Sequence, residues 1–246
     1  MKNLIVACLV LLVTATFSFA AKESNVSQTV HNLTWSSPYT DTASILYQAS
    51  DVTETQVCIF CHTPHGGSLD APLWNRSMPS NSKYQHYSSA TLSSTIDINR
   101  VVQAESLTCL SCHDGSIGVG DGLINNGGVR PSNWGATVVG IPRIGANRGL
   151  GLGASTDDLR DDHPISFSYT AAMNDANKPN QLNPDTEVEA AGLTLFGANQ
   201  NVECSTCHDP HVTYDSNIDP AFDEDYRPFL AVPNTGSAMC LACHIK

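Results

Sequence analysis

Cys58, Cys61 and His62 stand in the stretch CIFCHTPHGG: two thiols three residues apart, with a histidine directly behind the second. Thiols at that spacing can bond to one edge of a porphyrin while the imidazole binds its iron, and C-x-x-C-H is the attachment pattern of c-type haem. The pattern recurs as Cys109, Cys112 and His113 in CLSCH, as Cys204, Cys207 and His208 in CSTCH, and as Cys240, Cys243 and His244 in CLACH. No cysteine after Cys8 is left over. A disulfide framework or zinc sites built from C-x-x-C pairs would also use an even count. Neither requires a histidine behind every pair in a chain with only 9 histidines among 246 residues. The expectation is therefore four covalently bound haem c groups and no disulfide.

An iron in a low-spin haem takes two axial ligands, so four irons need eight. His62, His113, His208 and His244 supply one each. The others are His31, His65, His86, His163 and His211. An internal repeat sorts them, because a leading histidine, a C-x-x-C-H-x-P-H and a C-L-x-C-H follow one another twice. The first set is His31, CIFCHTPH and CLSCH; the second is His163, CSTCHDPH and CLACH. His31, His65, His163 and His211 are thus the expected second ligands, and His86 falls outside the count. His65 cannot complete the iron of His62, since residues three apart in a turn lie only about 5 to 6 Å from each other and axial ligands approach from opposite faces. It must serve another iron, across a link that Pro64 stiffens. His211 behind Pro210 is its counterpart. The order of elements in each half pairs His65 with His113 and His211 with His244, leaving His31 for His62 and His163 for His208.

These stretches, with APLWNR, LTCLSCHDGSIG, DDHPISFSY and FLAVPNTGSAMCLACHIK, resemble the doubled C-x-x-C-H multihaem c-type cytochromes over nearly the whole chain. The HNL at His31 is similar to that family's N-terminal HDL element. Within the family, the number of haem sites and the chain length are most similar to the tetrahaem members that polymerise into extracellular filaments, or nanowires. The resemblance implies a head-to-tail homopolymer that passes electrons to redox partner cytochromes or extracellular acceptors. His86, in YQHYSS, has no counterpart in it and stands as an alternative to His31.

The elements that must hold these residues are slight. Twelve of the 17 glycines lie between Gly115 and Gly153, where no period of two or of 3.6 is sustained. The expected fold is mostly irregular coil, with short helices at the C-x-x-C-H sites and over TEVEAAGLTLF, and a short strand around ATVVGI. Haem would organise this core, as aromatic residues make up only 7% of the chain. Residues 1–20 read as a signal peptide: MKN, an apolar run from Leu4 to Phe19, then Ser18 and Ala20 as small residues at the cleavage site. Two dihaem modules follow, 21–155 with the glycine-rich loop and 156–246. No membrane span is expected after cleavage.

Charge narrows the partners. The chain carries 12 basic against 24 acidic residues, a formal net charge of −12, which disfavours nucleic acid and anionic membrane surfaces. An iron with two histidines has no open position, so the chain reads as an electron carrier rather than an enzyme. Three readings follow: a subunit of an extracellular filament at the cell surface, a soluble periplasmic shuttle to a terminal reductase, or a multihaem redox enzyme with one five-coordinate iron. For the filament, His31 is the expected bridging ligand, carried on the polar segment AKESNVSQTV and completing an iron either of its own chain or of a neighbour.

Overall fold

Each C-x-x-C-H motif is wound into one tight turn, and the rest of the chain is largely arranged around those turns. The computed structural model describes residues 24–34, 38, 55–69, 71, 73–114, 122–125, 157–220 and 222–246. Most of this is coil. The helices are α1 (Ala104–His113), α2 (Tyr169–Met173), α3 (Asp185–Ala190), α4 (Cys204–Cys207) and α5 (Ala238–Cys243). Two two-residue strand pairs complete the regular structure: β1 (Gln85–His86) runs parallel to β2 (Asp158–Leu159), and β3 (Phe167–Ser168) antiparallel to β4 (Asn201–Val202). No helix among the described residues is long and apolar enough to cross a membrane. The leader at 1–20 and most of the glycine-rich stretch, with the strand expected at ATVVGI, lie outside the described residues. The helix expected over TEVEAAGLTLF covers only the start of that stretch. It stops at Ala190, and Gly192 takes a φ of +90° that turns the chain away.

Three of the four motifs share one backbone template. His62, His208 and His244 each donate a main-chain N–H to the carbonyl of the first cysteine of their motif, at 2.8, 2.9 and 2.9 Å. That single turn sets the two cysteines on one face. The carbonyl of the second cysteine then accepts from a crossing segment: Cys61 from Asn75, Cys207 from Ala231, and Cys243 from Asn183. The residue after the histidine reaches back to the same segment, Thr63 to Leu73, Asp209 to Phe229 and Ile245 to Gln181. Leu73 and Phe229 occupy equivalent places and both have left-handed backbones, with φ of 61° and 56°. A branched or bulky residue with positive φ is uncommon, so finding two at one position of a repeat marks the crossing segment as part of that repeat. The fourth motif closes α1, with Cys109, Cys112 and His113 in its last two turns.

The two halves of the sequence interleave. Helix α1 packs against α4, β1 pairs with β2, and the Arg100 Nε–H donates to the Ile165 carbonyl at 2.6 Å. Apolar packing among the described residues is divided into small clusters. One is Tyr84, Val102, Leu107, Leu110 and Leu159; another is Tyr169, Val188, Leu193, Leu195 and Val202; the third is Ile59 with Phe60.

Glu203 ties the halves together. Its side chain is almost fully buried and accepts hydrogen bonds from the Ser106 hydroxyl of α1 and, at 2.8 Å, from the Ser166 hydroxyl. It also closes a capping box over α4, in which the Glu203 N–H donates to the Thr206 hydroxyl at 3.0 Å. Burial pushes this carboxyl above its ordinary range, and the two serines pull it back.

Candidate metal centres

The template that fixes the cysteines also aims the histidines. His208 and His244 leave α4 and α5 in extended conformation, and with His62 they form isolated antiparallel bridges to Leu230, Leu182 and Trp74. Each ring is thereby turned out of its helical turn, toward a second histidine in two of the three cases. Two imidazoles bound through nitrogen to one metal, with bonds of about 2 Å, hold their ring centres roughly 6 Å apart. His31 and His113 have ring centres 6.0 Å apart, His62 and His211 6.3 Å, and His163 and His244 6.3 Å. The separation in each of the three pairs matches that spacing. The ring planes cross at 82° in the first pair and 70° in the third but lie within 13° of parallel in the second.

Ligand histidines characteristically anchor their second ring nitrogen on a carbonyl or carboxylate, which fixes the tautomer and leaves the other nitrogen for the metal. Three rings do so. His163 Nδ1 lies 2.8 Å from the Pro164 carbonyl, His208 Nδ1 3.0 Å from the Pro228 carbonyl, and His211 Nδ1 2.9 Å from Asp209 Oδ1. In each the Nε2 is the nitrogen left for a metal. A ligand must also be uncharged. Burial, reinforced by the nearby His31 and His208, holds His113 down to about 3; burial holds His31 down to about 4. His62 and His244 are likewise lowered, first by burial and then by the histidine opposite.

The eight cysteines of the motifs are unbonded to one another, and they form a row. Cys61 lies near Cys112, Cys109 is hydrogen-bonded to Cys204, and Cys207 lies near Cys243. The four attachment points therefore follow one another in space in their sequence order. Burial pushes Cys61 up to about 12 and Cys207 to about 11. Arg76, fully buried, stands beside Cys61, Cys112 and His113, with Nη2 donating to the Ser111 carbonyl at 3.3 Å. No three His, Cys, Asp or Glu side chains among the described residues converge as a metal cage, whereas haem asks only for two cysteines and two histidines at each site. At three of the four motifs the residues present fit that group.

The ring partnerships differ from those expected from the order of elements. His113 faces His31 and not His65, His62 faces His211 and not His31, and His244 faces His163 and not His211. Only His62 with His211 crosses between the halves; His31 with His113 and His163 with His244 each lie within one half. His31 is not on an outstretched arm. Asn25 caps a turn over Val26–Gln28, the Asn32 side chain donates to the Ser27 carbonyl at 2.8 Å, and the His31 ring packs 4.5 Å from Phe229. Two of the eight expected ligands, His65 and His208, have no facing ring among the described residues. His86 is buried on β1 beside Arg100 and stands opposite no other histidine among the described residues. Sequence reasoning passed over Asp209, Phe229 and Pro228. The signal was present: Pro72-Leu73-Trp74 and Pro228-Phe229-Leu230 follow the two H-x-P-H motifs in the same order. No family model matches the chain, and no curated protein is significantly similar to it.

Proposed function

We propose that the protein is an exported tetrahaem c-type cytochrome that carries electrons, and that it works as the subunit of an extracellular head-to-tail filament. The observation that carries this reading is the set of three histidine pairs with ring centres 6.0 to 6.3 Å apart, each joining a histidine of a C-x-x-C-H motif to one outside it. Haem supplies a one-electron iron couple. The protein's own share is to hold each iron by two neutral imidazoles and leave no position for a substrate, which suits transfer of electrons and not turnover of small molecules. The row of cysteine pairs supports a conduit in sequence order, and the divided apolar clusters suit a core completed by flat cofactors.

Polymerisation is supported by the two histidines left over. Thr63 holds the turn at His65 by donating its hydroxyl to the His65 carbonyl at 2.8 Å, and the ring is exposed on a loop that also exposes Leu69 and Leu73. His208 is oriented by Pro228 and, among the described residues, has no facing ring. On this reading His65 of one subunit completes the iron of His208 in the next. A contact between two different surfaces continues into a filament unless its rotation closes a ring.

Intact mass of the protein made in a host with haem-attachment machinery is expected to show four haems per chain and no disulfide. Electron paramagnetic resonance of the oxidised protein then separates two classes of low-spin iron. Crossed imidazole planes give a strongly anisotropic signal, expected from His31–His113 and His163–His244, and near-parallel planes give a rhombic one, expected from His62–His211. Bound zinc, free thiols without haem, or a dominant high-spin signal would overturn the reading.

A further inference from the structure

The two H-x-P-H motifs differ at their second position, and that difference reaches the metal ligands. In the first, Thr63 directs its hydroxyl at the main chain. In the second, Asp209 Oδ1 accepts both the main-chain N–H of His211, at 3.0 Å, and its Nδ1–H, at 2.9 Å. Pro210 restrains the link between the two residues, and the Asp209 N–H is tied to the Phe229 carbonyl at 2.7 Å, so the carboxylate is held in place. The other two anchored rings, His163 and His208, give their Nδ1 to main-chain carbonyls. His211 is the one histidine among the described residues whose ring pairs with a carboxylate.

A hydrogen bond to a charged acceptor is roughly twice as strong as one to a neutral acceptor. It draws the Nδ1 proton away from the ring and makes the imidazole a stronger electron donor to its metal. Ferric iron, with one more positive charge than ferrous, gains more from that donation. We propose that Asp209 sets the reduction potential of the iron shared by His62 and His211, holding it below the value the two imidazoles alone would give. This rests on the haem reading above and assigns Asp209 as a positioning residue that tunes one site of four.

The test uses the full-length, haem-loaded protein with the aspartate replaced by its uncharged isostere, Asp209→Asn, whose amide oxygen can still accept both N–H groups. Potentiometric titration followed by electron paramagnetic resonance isolates this iron through its rhombic signal. That signal's midpoint is expected to rise by about tenfold in its reduction equilibrium, which is about 59 mV for one electron, while the other signals stay in place. Four low-spin haems with an unmoved rhombic midpoint, or an equal shift of every signal, would overturn the assignment and leave the cytochrome reading standing. If Asp209→Asn loses low-spin ligation, Asp209→Glu decides: the charge is retained and the midpoint should stay low, whereas a rise there would overturn the proposal. A protein without haem would refute the underlying function instead.

Discussion

His65→Ala in the full-length, haem-loaded protein is expected to keep all four haems attached, abolish polymers and open one iron per chain to carbon monoxide. His65 is not needed for covalent attachment, which uses Cys58 and Cys61. Its ring faces no other histidine among the described residues, so on the proposed reading the iron it completes belongs to the next subunit, the one held by His208. Removing it takes away a coordinate bond and the contact built around it together. His31→Ala supplies the contrast. Its ring lies 6.0 Å from His113 within one chain, so that variant should also open an iron, yet still polymerise. Negative-stain images with carbon monoxide difference spectra of the two reduced variants distinguish these outcomes. Filaments of His65→Ala with every haem low-spin would refute the bridging role.

Glu203→Ala should destabilise the folded protein by about 3 kcal/mol. The change strips the acceptor from two buried hydroxyls, each costing about 1 to 3 kcal/mol when unsatisfied. Ser106 keeps one partner, because its oxygen also accepts the Cys204 N–H at 3.0 Å. Glu203→Gln keeps an acceptor oxygen and should lose less than half as much. Denaturant unfolding of the haem-loaded protein, read at matched haem content, checks both values. A loss below about 1 kcal/mol for the alanine variant would mean that α1 and α4 are held by something other than this knot.

How far the sequence could be read depended on the range of the interactions concerned. The four attachment motifs and their helical turns are local, decided within five residues, and α1, α4, α5 and the turn at Val57–Phe60 lie where the motifs stand. The partnerships of the rings are not local. Within each half the order of elements suggested one set of pairs, but the fold brings His62 to His211 across 149 positions of the sequence, and nothing in either motif announces that. His31 was misleading for a different reason. AKESNVSQTV is polar and reads as an arm, whereas Asn25, Thr29 and Asn32 spend their polar groups on the local main chain and fold the segment against Phe229. Asp209 was visible as a residue and not as an acceptor, since an aspartate before proline is an ordinary turn signal.

The closeness of cysteines from different motifs bears on how such a chain could be made. A thiol reacts as its thiolate, and in the closed fold burial suppresses that form at Cys61, Cys112 and Cys207, while Cys109 is raised well above its ordinary value by its hydrogen bond to Cys204 and by burial. Oxidation of Cys109 with its neighbour Cys204 would remove one thiol from each of two motifs. A chain that closed before its thioether bonds were made would hold its nucleophiles out of reach and at risk of cross-linking. On the proposed reading, maturation therefore has a fixed order in time: each motif meets its cofactor while the polypeptide is still open, and the row of four assembles only afterwards.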